Sequence, residues 1–445
     1  MLGFEGTREW VYAQSVTGTF TTLRRWTFLA LHLILFVTPW VSIGGHPALR
    51  IDIPARQVFA FGGIYTPSDT IVLLIILLSL AFTLFFFTSL IGRVWCGYAC
   101  PQTVFLETWI RPIEKWIEGD RSQRLHRARK GLSVDLVWRK ALKWTAFAAV
   151  SVVVSMAFVS YFAGARELWT GYAGGFAYGT VAFFSAVFFL DFAWFREQFC
   201  NYLCPYARLQ GALTDDETIQ VTYFPDRGEP RGGKDAAQAG RCIDCDKCVV
   251  VCPAGIDIRD GFQLECIACS RCVDACTGVM QRLGHRTLVG YSSVVEMRGG
   301  KRPRLLRPRT LVYAALLVAL AATGTTLVAA RVPFEASVNR VPGSLFTVDA
   351  DGSVRNTYLL KVTSNDPSPD PVRFEVTVEG LADAEVVYPV LMLRSQESRT
   401  VPLVIRVPSP VAAGPTVPID VTVRSPGDAV SLAATFMTGA SSGVP

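Results

Sequence analysis

Eight cysteines between Cys242 and Cys276 fall into two runs, CIDCDKCVVVC and CIACSRCVDAC, each with the spacing C-x2-C-x2-C-x3-C. A [4Fe–4S] cube needs four thiolates, and this spacing wraps three cysteines of a run around one cube while the fourth reaches across to the other. The spacing therefore predicts one cluster on Cys242, Cys245, Cys248 and Cys276 and a second on Cys266, Cys269, Cys272 and Cys252. A zinc site would use four of these thiols and strand the rest. A disulfide framework would require an oxidising compartment, which the charge distribution described below argues against. Cluster potentials stay open, because charge, hydrogen bonds to sulfur and exposure set them.

Of the 445 residues 51% are hydrophobic, too apolar for an ordinary soluble chain. Apolar stretches near the ~20 residues that cross a bilayer core fall at Trp26–Ile43, Thr70–Gly92, Trp144–Ala165, Leu168–Leu190 and Thr310–Ala330, and five transmembrane helices are expected. Residues 93–143 hold eleven Lys and Arg, whereas Gly44–Asp69 holds only Arg50 and Arg56. The positive-inside rule then places residues 1–25 and the cysteine runs in the cytoplasm of a bacterial inner membrane and the C-terminus outside. The basic excess sets orientation and does not advertise nucleic acid. Asp191 and Arg196, at the inner end of the fourth span, are expected to reach lipid headgroups. Gly171, Gly175 and Gly179 form a small-xxx-small face suited to helix packing. His32 lies inside the first span, where a haem or copper ligand competes with a hydrogen-bonded bundle residue. Residues 102–118 look like an amphipathic surface helix with Trp109 and Trp116 at the interface.

WCGYACPQ at Trp95–Gln102 and FCNYLCPY at Phe199–Tyr206 repeat an aromatic-C-x-Y-x-C-P pattern, each at the inner end of a helical hairpin. If each motif continues its helix, Cys96 and Cys100 share a face, as do Cys200 and Cys204. Soft thiolates suit Cu(I), zinc or iron–sulfur, and the four together would complete one metal site; buried packing is the plainer alternative. No nucleotide-binding glycine motif and no C-x-x-C-H is present, and the electron donor is not written in the sequence.

After Pro333 short alternating segments such as VRFEVTVEG and VPIDVTVRS, separated by Pro, Gly, Asp and Asn, predict an immunoglobulin-like β-sandwich at 333–445 that lacks a disulfide. The expected domains are thus a membrane bundle at 26–216, a two-cluster ferredoxin-like module with its connections at 217–309, a fifth span at 310–330 and the sandwich.

The doubled C-x-x-x-C-P, the paired four-cysteine runs, the stretch HPALRIDIPARQVFAFGGIYTPSD at His46–Asp69 and the β-rich tail together resemble the FixG/CcoG/RdxA family, accessory proteins for assembly of cbb-type haem–copper oxidases. The resemblance implies an iron–sulfur oxidoreductase that reduces Cu(II) to Cu(I), with two [4Fe–4S] clusters, copper or another redox metal at Cys96, Cys100, Cys200 and Cys204, and copper-trafficking or oxidase-assembly partners. It assigns no further catalytic residue. The doubled motif also resembles membrane ferredoxins of nitrate- and nitrous-oxide-reductase systems, which would make the chain a quinol-fed conduit. A non-catalytic metal-binding scaffold is the third reading.

Overall fold

The computed structural model describes residues 10–131, 133–232, 240–299, 302–343, 345–368, 370–408 and 415–438. Residues 1–9 of the expected cytoplasmic N-terminal segment lie outside it. Among the described residues five helices are long and apolar enough to cross a membrane: α1 (Thr19–Val37, its span running on to Trp40), α2 (Thr70–Ile91), α6 (Val134–Ala163), α7 (Gly175–Leu190, its span running on to Phe195) and α10 (Pro308–Ala329). Between them lie the shorter α3 (Val94–Tyr98), α4 (Pro101–Phe105), α5 (Arg111–Glu118), α8 (Pro205–Leu213) and α9 (Arg271–Met280). The apolar window of α10 buries nothing against protein and that of α2 only 6%. Side chains such as Leu74, Leu77 and Leu80 therefore need an apolar covering other than this chain.

Several boundaries differ from the hydropathy reading. α1 starts at Thr19 rather than Trp26, because the polar residues before Trp26 are already helical. The fourth span begins at Gly175, since Gly171 stands in a turn with φ +91°. Side chains added at Gly171, Gly175 and Gly179 would meet nothing within 4 Å, so the expected close helix approach is not there.

The chain packs as two compact units, Met1–Trp40 with Leu73–Gly324 and Val41–Val72 with Thr325–Pro445. This division cuts across the one drawn from sequence. The long apolar helices and the cysteine runs share a unit because they are tied by buried contacts described below.

In the second unit, two four-membered strand rows face each other: Glu385–Val387, Ser398–Val407, Val354–Ser364 and Phe334–Arg340 in one, and Leu391–Leu393, Val372–Glu379, Thr416–Ser425 and Asp428–Met437 in the other. Alternate residues point inward, so Tyr358, Leu360, Val362, Leu403 and Ile405 meet Phe374, Val421, Val423 and Phe436 in one core. The stretch His46–Asp69, read as a loop from sequence, contains a three-stranded sheet (Leu49–Asp52, Gln57–Ala60, Gly63–Tyr65). It is fastened to the start of the sandwich by Arg331, which pairs with Asp69 at 2.8 Å.

Candidate iron–sulfur and thiolate centres

The two cysteine runs repeat in backbone as well as in sequence. Asp244 and Asp246 flank Cys245 with φ +55° and +54°, and Ala268 and Ser270 flank Cys269 with φ +52° and +61°. Non-glycine residues rarely adopt this left-handed region. Four of them at matching positions mean that both loops are bent to curl their first three cysteines around a common hollow.

Cys242, Cys245, Cys248 and Cys276 line one hollow. Cys252, Cys266, Cys269 and Cys272 line a second, with Cys248 on the wall between them. Each hollow thus gathers three cysteines of one run with the last cysteine of the other. The backbone N–H of Leu288 donates to the Cys276 sulfur at 3.4 Å. Arg259 locks the first loop by pairing with Asp244 at 2.5 Å, Asp246 at 2.7 Å and Asp257 at 2.6 Å. Cys245 is exposed and Cys269 buried, so the first hollow opens to solvent and the second lies deeper. Burial pushes the Cys252 thiol up to about 11 and those of Cys248 and Cys266 to about 12. A bound cation must displace these protons to obtain thiolate ligands.

The two C-x-x-x-C-P motifs leave their helices, contrary to the helix-continuation reading. α2 stops at Gly92 (φ +59°), Cys96 rides on short α3, and Cys100 is extended at ψ 127° immediately before Pro101 opens α4. In the second repeat Cys200 lies in a π-helical turn, Phe199–Leu203, and Cys204 is extended at ψ 112° before Pro205 opens α8. Proline thus acts as the first residue of a new helix, where its missing N–H costs nothing. Cys100 and Cys204 become the residues that precede each helix. Burial raises the Cys100 thiol, against the opposing influence of the nearby Gln102 and Thr103 N–H groups.

All four thiols come together. Cys96 feels the charge of Cys100 and Cys204, Cys100 that of Cys204, and Cys200 that of the other three. Burial pushes Cys96 up to about 11, and Gln210 Nε2 donates to its sulfur at 3.6 Å. Among the described residues no three Cys, His, Asp or Glu side chains stand where they could hold a single metal ion, either here or in the ferredoxin runs. A cube gives each cysteine its own iron and holds the sulfurs apart, which suits the two ferredoxin hollows.

The quartet abuts the second hollow. A side-chain carbon on Gly97 would stand 2.7 Å from Ile267 O, 2.9 Å from Ala268 O and 2.9 Å from Cys269 Cα. Tyr98 lies beside it with its hydroxyl 3.4 Å from Ser270 Oγ. Cys200 shares a small hollow with Pro253, Ala254 and Ile267. Buried Arg93 ties three parts together by donating to Gln210, to Leu264 O and, at 3.2 Å, to Ala207 O.

Sequence reading missed the buried ionic scaffold beneath this junction. Glu107 pairs with Arg271 at 2.9 Å, Arg111 at 3.2 Å and Arg24 at 3.9 Å. Burial alone would raise its carboxyl, but the guanidinium groups of Arg271, Arg111 and Arg24 overrule it and hold it down to about 2. Arg196 does not reach headgroups: it is buried and grips Glu114 through two bonds of 2.8 and 3.1 Å. Asp191 likewise turns inward and accepts from Gln102 at 3.0 Å. Residues 102–118 do carry an exposed Trp116, but their charged face is turned into protein. The signal available in sequence was Glu107, Glu114 and Glu118 at helical spacing between two motif cysteines and a basic loop. His32 is spoken for, with Nδ1 2.7 Å from Phe28 O and Nε2 accepting from Trp109 Nε1 at 2.8 Å. Both ring nitrogens being used, the metal-ligand reading of His32 falls.

Comparison with known proteins agrees with this geometry. A 4Fe-4S dicluster domain matches residues 195–294, a 4Fe-4S binding domain matches 73–121, and the "IG-like fold at C-terminal of FixG" matches 324–439. Protein RdxA of Cereibacter sphaeroides is 40% identical over 84% of this chain and 82% of its own length. Protein RdxB of the same organism is 36% identical over 84% and 83%. The nitrogen fixation protein FixG of Rhizobium meliloti is 34% identical over 85% and 80%. With paired cluster hollows, a doubled thiolate motif and this sandwich in one chain, the protein belongs to the FixG/RdxA family of iron–sulfur electron-transfer proteins.

Proposed function

We propose that this chain is a membrane-bound oxidoreductase that reduces Cu(II) to Cu(I) and supplies the reduced ion for assembly of a cbb-type haem–copper oxidase. The observation that carries the reading is the packing of Gly97, within the first C-x-x-x-C-P motif, on the Cys266–Cys269 loop. Bound iron–sulfur clusters supply one-electron chemistry, and each Cu(II) ion takes up one electron. The chain's own residues set the direction. Cys245 lies at the surface, Cys269 is buried, and the quartet follows on the far side of Gly97.

Cys96, Cys100, Cys200 and Cys204 form one shared centre in this reading. The 4Fe-4S binding match at 73–121 contains only Cys96 and Cys100, too few thiolates for a cube, and Cys200 and Cys204, within electrostatic range of them, supply the other two. The quartet is the redox centre that meets copper, a soft ion for which thiolates are the natural ligands. The five apolar helices cross a bacterial inner membrane with the cluster hollows in the cytoplasm and the sandwich in the periplasm, following the Lys/Arg asymmetry. Copper-trafficking or oxidase-assembly proteins receive the product.

The test is anaerobic Cu(II) reduction by purified protein with a defined electron donor, followed with a Cu(I)-specific chelator. Reduction that disappears in Cys200→Ser/Cys204→Ser, while ferredoxin iron is retained, supports the reading. Cu(II) bound but never reduced would make the chain a metal-binding scaffold instead.

A further inference from the structure

A cleft of about 570 Å³ opens between α1 and the α5 segment that follows the first thiolate motif. Its wall on α1 is one helical stripe, with Arg25 followed a turn later by Phe28 and Leu29, then His32 and Phe36. Positions three and four apart share a helix face, so a cationic mouth runs directly into an apolar trough. The opposite wall brings Lys115, Arg121 and Trp109.

The charge in this cleft is unbalanced. Glu107 is claimed by Arg271, Arg111 and Arg24, and Arg124 is claimed by Glu114 and Glu118. Asp120 is the one other carboxylate on the lining. Among the described residues Arg25, Lys115 and Arg121 make no ion pair, Lys115 bonding only Ser15 Oγ at 3.1 Å. The Nε of Arg121 is buried without a hydrogen-bond partner. A buried guanidinium donor left unmet forfeits its hydration without a replacement bond, and an anionic oxygen in the mouth would restore one through charge-assisted contacts.

We propose that this cleft holds an anionic phospholipid, with its phosphodiester against Arg25, Lys115 and Arg121 and an acyl chain along Phe28, Leu29 and Phe36. Three features select this occupant. The cations require an anion, the trough behind them requires a hydrocarbon tail, and α1 is one of the five helices apolar enough for a bilayer. Basic pockets between membrane helices take such headgroups. A quinol fits worse, because His32, the polar side chain in the trough, already uses both ring nitrogens. The lipid would brace α1 against the segment carrying Glu107 without entering the redox path.

The experiment compares full-length protein with Arg25→Ala/Arg121→Ala in phosphatidylcholine nanodiscs with and without phosphatidylglycerol. Thermal unfolding and the lipid retained after detergent extraction are measured, with iron content as the check on folding. Wild-type protein should retain phosphatidylglycerol at about one molecule per chain and unfold at higher temperature in its presence. The double variant should lose both effects with iron unchanged. A second variant, Leu29→Asp, places a like charge in the trough and should also lose the lipid. If wild-type protein shows no preference for phosphatidylglycerol, if the arginine variant keeps it, if inorganic phosphate stabilises equally well, or if a quinone is retained in its place, the proposal is overturned. Copper reduction is not among the readouts, so failure here leaves the proposed function standing.

Discussion

Gly97 packs so closely on Ile267 that a single added carbon would lie 2.7 Å from its carbonyl oxygen. The obstacle is backbone, which cannot swing aside. The membrane-side thiolate motif and the deeper cluster loop meet there with no intervening side chain. Gly97→Ala should cost about 1–3 kcal/mol through overpacking and slow electron delivery to the quartet while both ferredoxin clusters remain. The check is single-turnover oxidation of the reduced clusters by Cu(II), compared with iron content and Tm. Unchanged kinetics would mean that electrons leave by another route.

The two hollows separate the last cysteine of each run from its neighbours. Anaerobically purified protein should contain about eight ferredoxin irons from two four-iron cubes, beyond any metal at the quartet. Cys276→Ser should damage the cluster of Cys242, Cys245 and Cys248, and Cys252→Ser that of Cys266, Cys269 and Cys272. Paramagnetic resonance of the reduced variants, each retaining a different signal, is the measurement. Identical residual spectra would contradict the crossed assignment.

A shared quartet predicts all-or-none loss of its metal. Either Cys96→Ser/Cys100→Ser or Cys200→Ser/Cys204→Ser should remove all non-ferredoxin metal, as judged by total metal analysis alongside intact cluster spectra. Retention of half in each double variant would mean two independent thiolate pairs.

Glu107 makes a pH prediction. Its carboxyl is held at about 2 against an ordinary value of 4.5. The stability it contributes is therefore complete above 4.5, declines as pH falls below that, and is gone once pH passes about 2. Removing the carboxylate with Glu107→Ala leaves three buried guanidinium groups short of a partner, at about 3–5 kcal/mol. In Glu107→Gln the gap in Tm from wild type should be widest near neutral pH and close on acidification. A gap independent of pH would assign the effect to packing.

The two cysteine hollows were legible because cluster spacing is local: a dozen residues contain three of the four cysteines and the turn that curls them. The long apolar helices were legible from hydropathy, but their ends were not. Thr19 to Arg25 is too polar to register and is helical through contacts made elsewhere. Cys100 and Cys204 were misplaced on helices because proline was read as a terminator, when here Pro101 and Pro205 begin the next element. Glu107, Glu114 and Glu118 showed a helical spacing, but their pairing was invisible because the partners Arg271 and Arg196 lie far along the chain. Pairing of that kind leaves no periodicity. The small sheet at Leu49–Tyr65 was lost for a related reason: its strands are too short to show alternation.

The start of α1 is held by Asp274 of α9, whose carboxylate accepts from Phe20 N at 3.2 Å, Thr21 N at 2.7 Å and Thr21 Oγ1 at 2.7 Å. These are amide donors that a helix cannot satisfy by itself. Asp274 follows Thr21 by 253 residues and lies between Cys272 and Cys276, which line different hollows. During synthesis the first helix therefore emerges with its leading turn unfinished, and only the later arrival of a folded α9 completes it. Closure of α1 thus depends on the same stretch of chain that gathers the cysteines of both hollows.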